Sequence, residues 1–548
     1  MRRGVHSLLR RKTMSKAQHY DVYTKDELIA RILELEGSRK EAKTKLKNIQ
    51  SKGKGPHTTP ASKMGNKAFN FSAHPTRKIA LKFSYDGTFF NGLEFQRDPT
   101  PLPTVEEVLW RALLHTRLVD PAGGMEGVGW EKCGRTDCGV SAAGQVVSFR
   151  IRSALRGLQT PASIISSSQA PSSEVREGTT AEAPSLDDEH ESTGLENVFG
   201  ALSTWDEPPT NTVLPPANNI RMSSDNNDEL KYVSSLNNIL PPSIRVLAWS
   251  PVSEDFSARY NCRYRHYKYF FLSRGLNTKA MCDGAERLVG EHDFRNLHKL
   301  DPAKQLTTFR RRILRAEINP VDITDRGSPS QMYVFDLVGT AFLYNQVRHI
   351  MAILFLIGAG LEEPSIMTTL LNTDPDNPYP SYRLGEPVPS VVTTKPIYQM
   401  ADALPLVLWD TGFASGDVSW RTDYKDAEGS TKITKSFAKN VCTQLRAVHE
   451  RSLTHAALHE HFFKAATQYH DMPPEFFPTG PDRSAIPKGV VFGVPLGGAQ
   501  QKDTALYVPI LERQRLDAVE VSNERWRRGK GARRAARDVD EAAGGGEE

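Results

Sequence analysis

The sequence predicts an α+β protein from two kinds of hydrophobic pattern. In residues 79–85, 267–271 and 333–337, large apolar or aromatic side chains alternate with polar or smaller ones, as in a strand with one buried face. Residues 342–360 instead carry apolar side chains at helical spacing and end near two glycines. Several strands with a few long helices are typical of an α+β domain.

The first patterned region has the order strand, helix, strand. The first strand ends at Asp86 and Gly87, a pair that is typical of turns. Thr104 and Glu107 have the spacing of a capping box, which predicts a helix with one apolar stripe. A further strand is predicted over residues 145–151, where large apolar side chains again alternate.

Stretches poor in large apolar residues separate and flank two patterned regions. Such stretches bury too little surface to offset the entropy of ordering, so we expect the first and third of the five parts to be largely disordered. The N-terminal stretch contains one predicted short helix, with a capping box at Thr24 and Glu27. The predicted parts are a basic N-terminal extension at 1–77, a first half at 78–153, an acidic Ser- and Pro-rich insertion at 154–229, a second half at 230–413, and a C-terminal extension with a charged tail at 414–548.

Charge is distributed unevenly along the chain. The net charge is +5, but residues 156–229 contain 13 acidic and only 3 basic side chains, so the remaining chain carries a net charge of +15. A basic body favours a nucleic-acid partner, because cations that neutralise phosphates release condensed counterions. A solvated basic surface without such a partner has the same charge, so charge alone leaves both interpretations open.

Neither a membrane span nor a disulfide framework is indicated. No apolar run reaches the roughly 20 residues that a membrane helix needs. The five cysteines have no regular spacing and predict reduced thiols in an intracellular protein, which we expect in the nucleus and cytoplasm. Five Arg or Lys among the first twelve residues fit a mitochondrial presequence or a basic disordered tail, so mitochondrial targeting stays open.

Residues 134–139 form the sequence Gly-Arg-Thr-Asp-Cys-Gly. The flanking glycines permit a sharp turn and the close approach of a bulky ligand. Arg135 and Asp137 give this loop a guanidinium and a carboxylate, which by themselves also fit a surface ion pair. A phosphate-binding loop is disfavoured, because the Gly-Lys-Ser/Thr ending is absent.

Residues 133–149, CGRTDCGVSAAGQVVSF, closely resemble the catalytic motif of the TruA family of tRNA pseudouridine synthases. Three further segments are similar to this family in the same order along the chain. Residues 85–96 resemble its first strand and loop, and residues 265–269, RHYKY, resemble its Arg-x-Tyr-x-Tyr strand. Residues 341–350, AFLYNQVRHI, resemble its Phe-x-x-x-x-Val-Arg-x-Ile helix.

The resemblance implies the pseudouridine synthase fold, in which two ferredoxin-like (RRM-like) halves form a mixed, mainly antiparallel sheet with flanking helices and a central catalytic cleft. It implies a reaction that breaks the N1–C1′ bond of uridine, turns the base and rejoins it through C5, with no cofactor and no metal. Asp137 is then the nucleophile, which forms an adduct with the ribose or the base. Arg348 is the cation expected to keep the pKa of this carboxylate low, and an arginine without that role is the alternative.

The resemblance also implies roles for five other residues. Tyr267 is expected to stack on the flipped base, and it is a candidate acceptor of the C5 proton, although a pKa near 10 makes that second role less certain. Arg135 is expected to fill the place of the extruded nucleotide, since a base inside a stem cannot reach the carboxylate. Asp86, Gly134 and Gly139 are expected to support the structure of the site.

Shorter matches imply a subgroup. Residues 90–96, FNGLEFQ, depart from the bacterial Gly-Trp form, and with residues 403–410 and 507–513 they are similar to the eukaryotic tRNA pseudouridine-38/39 synthases. That subgroup acts on the anticodon stem-loop of tRNA, and the family implies a homodimer with tRNA crossing both subunits. The alternatives are a synthase of the same family acting on other tRNA positions or small nuclear RNA, an inactive tRNA-binding protein, and an unrelated hydrolase that uses Asp137 with a histidine.

Overall fold

A computed structural model describes residues 69–155, 229–321, 331–423, 440–471 and 491–534. The features below belong to one unit of the chain, Asn70–Glu548. The predicted helix near Thr24 and nearly all of the predicted acidic insertion, residues 156–228, lie outside the described residues.

The first half forms the predicted strand, helix and strand. β1 (Thr76–Tyr85) ends at Asp86, whose carboxylate caps the following 3₁₀ turn, Gly87–Phe89. The predicted cap at Thr104 is confirmed, because the amide of Glu107 donates a hydrogen bond to the Thr104 hydroxyl oxygen at 3.3 Å, while the Glu107 carboxylate pairs with Arg111. The remaining elements are α1 (Val105–His115), the helical turn α2 (Gly124–Gly127), β2 (Glu131–Lys132), β3 (Ser141–Arg152), α3 (Tyr232–Asn237) and β4 (Ile244–Pro251).

The second half contains two of the candidate residues on regular elements. Its elements are β5 (Tyr264–Leu272), α4 (Thr278–Glu286), β6 (Gly290–Asp293), the 3₁₀ turn Pro302–Lys304, β7 (Arg310–Pro320), β8 (Met332–Gly339), α5 (Gln346–Gly358), α6 (Ser365–Leu371) and β9 (Leu406–Gly412). Tyr267 lies on β5 and Arg348 lies on the first turn of α5.

Residues after 414 contain more regular structure than their sequence indicates. Three of them, Val494, Tyr507 and Ile510, are buried in the core of the second half. None of the helices in the described ranges is both long and apolar enough to cross a bilayer. The elements here are α7 (Val441–Ala466), β10 (Phe492–Gly497), β11 (Gln500–Thr504), the 3₁₀ turn Ile510–Glu512 and α8 (Val519–Trp526).

Nine of the described strands form one mixed sheet, in the order β4-β1-β3-β9-β5-β8-β7-β6 with β2 beside β3. β9 pairs in parallel with β3 and antiparallel with β5, so it joins the two halves. The other pairings in this sheet are antiparallel. The predicted α+β class and the mixed, mainly antiparallel sheet are therefore confirmed.

Each half has its own hydrophobic core. In the first half, α1 and α3 pack on β1, β3 and β4. In the second, α4, α5 and α6 pack on β5, β7 and β8. Tyr267 contacts both cores, so it marks the place where the two halves meet.

The helix predicted over residues 342–360 begins later, at Gln346. Asn345 has a left-handed φ of 57°, and this conformation separates residues 342–344 from the helix. Almost every side chain of α5 is buried, because α4 packs on it and β10 also contacts it. Its sequence is apolar on all faces for that reason.

All five cysteines are free thiols in the structure: Cys133, Cys138, Cys262, Cys282 and Cys442. Cys133 and Cys262 are buried in a small third core that includes Ala80 and Val146. These two strand residues alternate with those that face the core of the first half, so the third core lies on the opposite face of the sheet.

Candidate active site

Asp137 lies in the loop of residues 133–140 that joins β2 to β3, which we call the Asp137 loop. The side-chain amide of Gln145 donates a hydrogen bond to the carbonyl of Gly134 at 2.9 Å. The backbone amide of Val140 donates to the carbonyl of Asp137 at 3.1 Å. The first bond ties the beginning of the loop to β3, and the second closes a turn at its end.

The two glycines predicted to support this loop differ in their steric surroundings. Gly139 has a φ of +82°, a left-handed conformation that favours glycine, and a Cβ there would lie 3.2 Å from the Cβ of Ala403. A Cβ added to Gly134 would meet no atom within 4 Å. Backbone conformation and packing therefore favour glycine at position 139 but not at position 134.

The turn after β1 packs directly on the Asp137 loop. A Cβ at Gly87 would lie 2.2 Å from the carbonyl oxygen of Val140, so the two backbones touch. Asp86 accepts hydrogen bonds from the backbone amide and the hydroxyl of Thr88, at 3.0 and 2.6 Å. Asp86 therefore shapes the turn that holds Gly87 against the loop.

Residues 90–96 hold the loop from another side. The backbone amide of Leu93 donates to the carbonyl of Thr136 at 3.2 Å. The hydroxyls of Thr136 and Tyr85 share a hydrogen bond of 2.5 Å. Since Thr136 is buried and directly precedes Asp137, these contacts fix the backbone from which the carboxylate projects.

Tyr267 lies opposite Leu408 of β9, at a bulge that shifts the pairing register between His266 and Tyr267. Bulges often re-aim side chains next to functional sites. The ring packs edge-on against Phe342, with centroids 5.0 Å apart and an interplanar angle of 85°. Burial raises the pKa of the Tyr267 phenol, and the nearby charge of Asp137 raises it further. The phenol is therefore protonated near neutral pH.

Arg348 is held by the segment that leads into β9. Its Nε donates a hydrogen bond to the carbonyl of Ala401 at 2.8 Å. Its charge lies close enough to Asp137 to lower the pKa of that carboxyl. The structure thus brings Asp137, Tyr267 and Arg348 together from three distant segments.

Burial outweighs the nearby cations in setting the pKa of Asp137. The pKa is raised because burial penalises the ionised carboxylate, whereas the charges of Arg348, Lys299 and Lys304 oppose the rise. The expectation that Arg348 keeps this pKa low is therefore wrong in its net direction. The arginine acts in the predicted sense, but desolvation is the larger effect.

Arg135 is exposed and is paired with an acidic side chain that the sequence analysis missed. Its Nη2 lies 2.7 Å from Oε1 of Glu94. Glu94 Oε1 also accepts a hydrogen bond from Nζ of Lys132 at 3.2 Å, and Lys132 lies 3.0 Å from the buried Glu106. Arg135 is thus anchored at the surface, two residues before Asp137.

Sequence reasoning also missed three cations. Arg265 donates to the carbonyl of Cys133 at 3.0 Å and to that of Thr340 at 2.8 Å, so it ties the Asp137 loop to the segment before α5. It is the first residue of the RHYKY motif, which was the available signal. Lys299 and Lys304 lie between β6 and β7, where no local pattern distinguishes them from other surface lysines.

Comparisons with known proteins agree with this arrangement. A family model for tRNA pseudouridine synthase matches residues 285–414. A Saccharomyces cerevisiae protein named tRNA pseudouridine(38/39) synthase is 35% identical over 421 residues, which cover 76% of this chain and 76% of that protein. The Homo sapiens protein of the same name is 34% identical over 411 residues, covering 74% and 69%. A Methanosarcina mazei protein named tRNA pseudouridine synthase A is 26% identical over 298 residues, covering 54% and 77%.

The site contains the groups that nucleophilic chemistry on a nucleotide requires. Asp137 supplies a partly buried carboxylate, Arg348 a fixed positive charge and Tyr267 an aromatic ring at the junction of the two halves. The relatives match this chain over most of their own length. The chain belongs to the tRNA pseudouridine synthase family, a family of isomerases.

Proposed function

We propose that this protein converts uridine to pseudouridine in the anticodon stem-loop of tRNA, at positions 38 and 39. The names of its Saccharomyces cerevisiae and Homo sapiens relatives support both the substrate and the positions. The observation that carries the chemistry is the placement of three residues: the Asp137 loop packs on Ala403, Arg348 bonds to Ala401, and Tyr267 lies where the two cores meet. Arg348 lowers the pKa of Asp137, and Asp137 raises the pKa of Tyr267.

Asp137 acts as the nucleophile. Its ionised carboxylate attacks C1′ of the ribose as the N1–C1′ bond breaks, or it adds to C6 of the base before that bond breaks. The base then turns, C5 bonds to C1′, C5 loses its proton and N1 gains one. The carboxylate is released unchanged, so the product is an isomer of the substrate and no co-reactant is consumed.

Arg348 raises the ionised fraction of Asp137 against the opposing effect of burial. Tyr267 provides the ring on which the flipped base stacks. Because its phenol pKa is raised, Tyr267 is protonated near neutral pH and acts as an aromatic surface and a hydrogen-bond donor, and the C5 proton passes to solvent water.

Arg135 occupies the place that the target uridine leaves in the RNA. Unstacking a base costs roughly a few kcal/mol, and a cation that fills the gap lowers that cost. The ion pair with Glu94, 2.7 Å long, holds the guanidinium at the surface beside the Asp137 loop. From there it can reach the stem while the uridine reaches Asp137.

We infer further that the protein is a homodimer, with each tRNA contacting both subunits. The basis is the resemblance to the TruA family and the match to its relatives over most of the chain. Light scattering tests this inference, since a dimer has about twice the chain mass of 61.1 kDa. A monomer at micromolar concentration would remove it.

The test of the activity is site-resolved mapping of pseudouridine in tRNA transcripts that carry uridine at positions 38 and 39. We expect modification at both positions, loss of only one signal when that uridine is replaced by cytidine, and none with Asp137→Asn. Asp120→Asn is the matched control, because Asp120 is exposed and caps a turn that an asparagine also caps. Modification only elsewhere would contradict the positions, and no modification of any tRNA would contradict the activity.

A further inference from the structure

Two lysines lie beside the candidate active site, in the segment between β6 and β7. The Nζ atoms of Lys299 and Lys304 lie 5.5 and 4.8 Å from the ring centroid of Tyr344. The backbone amide of Lys299 donates to the carbonyl of Tyr344 at 2.9 Å. Tyr344 lies two residues before α5, so both lysines are attached to the start of the helix that carries Arg348.

Both lysines are exposed and poorly neutralised. Nζ of Lys304 lies 3.8 Å from the carboxylate of Asp301, near the outer limit of an ion pair. Among the described residues, no carboxylate lies within 4.0 Å of Nζ of Lys299. Two ammonium groups beside one tyrosine ring repel each other, and a bound anion relieves that repulsion.

Positive charge extends from this pair toward the interior. Burial and the charge of Lys299 lower the pKa of Lys395 to about 7. Lys299 and Lys304 also lower the pKa of Asp137. The same lysines thus act electrostatically on a buried lysine and on the candidate nucleophile, and their contacts with Tyr344 place them at the start of the helix that carries Arg348.

We propose that Lys299 and Lys304, positioned by Tyr344, bind the RNA phosphate next to the uridine that enters the site. The inference rests on the proposed function and deepens it, because it names the residues that hold the backbone of the flipped nucleotide. A lysine ammonium binds phosphate as a point charge on a flexible stem. The pair and Arg135 belong to different segments, so the phosphate contact is separate from the guanidinium that fills the place of the uridine.

The first experiment measures tRNA binding against KCl concentration in the Asp137→Asn background, where no turnover occurs. We expect Lys299→Gln with Lys304→Gln to weaken binding about tenfold and to reduce the slope of log K against log salt by about one, the value for one lost phosphate contact. Lys279→Gln with Lys502→Gln, which removes two exposed lysines elsewhere, should leave the slope unchanged. An unchanged slope in the Lys299 and Lys304 double variant would overturn the proposal.

The second experiment locates the phosphate. RNAs with one neutral methylphosphonate on the 5′ or the 3′ side of the target uridine are compared with charged RNAs that are otherwise identical. At one of the two linkages, we expect the neutral group to weaken RNA binding by the protein that keeps both lysines. The same neutral group should hardly weaken RNA binding by the double variant, which has already lost this contact. If the neutral linkage and the lysine substitutions weaken RNA binding additively at both linkages, the lysines contact neither phosphate.

Two readouts separate this proposal from other causes. The lysines could act only by favouring the ionised form of Asp137. In that case their removal shifts the acid limb of the pH–rate profile but leaves the slope of log K against log salt unchanged, and this result contradicts the proposal. Lys299→Arg should restore phosphate binding, whereas a folding defect in Lys299→Gln would appear as a lower Tm. Absence of pseudouridine with the unsubstituted protein removes the proposed function, but an active protein whose lysine variants bind normally removes only this inference.

Discussion

Arg348 and Ala401 make a reciprocal contact. Nε of Arg348 donates to the carbonyl of Ala401 at 2.8 Å, and the amide of Ala401 donates to the carbonyl of Arg348 at 3.1 Å. Ala401 is fully buried, so the arginine is held by a rigid part of the backbone. The segment before β9 therefore sets the direction of the guanidinium whose charge acts on Asp137.

We expect Arg348→Ala to lower the single-turnover rate by about 10²–10³-fold, as for the loss of a preorganised charge at a reacting centre. The guanidinium lowers the pKa of Asp137, so its removal should move the acid limb of the pH–rate profile to higher pH. Arg348→Lys keeps the charge but loses the Nε contact, and it should move the limb less. Rates measured from pH 5 to 9 test this, and an unmoved limb in Arg348→Ala would rule out the coupling.

Asp137→Asn should form no pseudouridine, bind tRNA within a few-fold of the unsubstituted protein, and raise Tm at pH 7. The pKa of this carboxyl is higher in the folded state than in the unfolded state, so its contribution to stability is greatest at low pH and declines as pH rises through the folded-state pKa. A neutral amide removes that decline. Thermal melts at several pH values test the sign, which is incorrect if the variant melts below the unsubstituted protein at pH 7.

Tyr267→Phe should retain more activity than Tyr267→Leu, because stacking needs the ring and the phenol stays protonated near neutral pH. Single-turnover rates of the two variants measure the difference. Tyr333→Phe serves as a control for loss of a strand hydroxyl outside the site. Equal loss of activity in the Phe and Leu variants would instead indicate that the hydroxyl takes part in proton transfer.

Arg135→Ala should slow the reaction more on a paired target uridine than on one opposite a mismatch. The arginine compensates for extrusion of the base, and a mismatched base costs less to extrude. Rates on two stem-loops that differ only in the base opposite the target measure this ratio. If the rate falls by the same factor on both RNAs, Arg135 instead binds phosphate and does not compensate for extrusion of the base.

Removal of residues 160–225 should leave Tm and activity nearly unchanged. The chain leaves and re-enters the fold at one place, since Ser153 and the amide of Ala154 donate to the carboxylate of Glu229 at 2.7 and 2.9 Å. A short Gly- and Ser-rich linker therefore closes the gap. Insoluble or inactive protein would show that the deleted segment is needed for folding or catalysis.

Sequence patterns predicted the features that depend only on residues close together in the chain. The alternation in β1 follows from its one buried face, and the cap of α1 follows from the Thr104 hydroxyl. The resemblance to a known motif drew attention to Asp137, Tyr267 and Arg348, because each lies in a segment whose spacing is distinctive.

The remaining features depend on contacts between distant segments. Lys299 and Lys304 matter because their charges act on Asp137, and Glu94 because of its ion pair with Arg135. The raised pKa of Asp137 depends on how deeply the carboxyl is buried, which no local pattern reveals. Burial of Tyr507 likewise follows from packing against the second half of the chain.

β9 pairs with β3 at only two positions, Ser141 with Val407 and Ala142 with Leu408. These positions directly follow the Asp137 loop, while each half keeps a separate core. Other contacts also join the halves there, since Arg265 donates to the carbonyl of Cys133 and Tyr267 packs against both cores. A substitution that loosens either core next to β9 should therefore reduce activity before it lowers Tm, because the site depends on both halves keeping their positions.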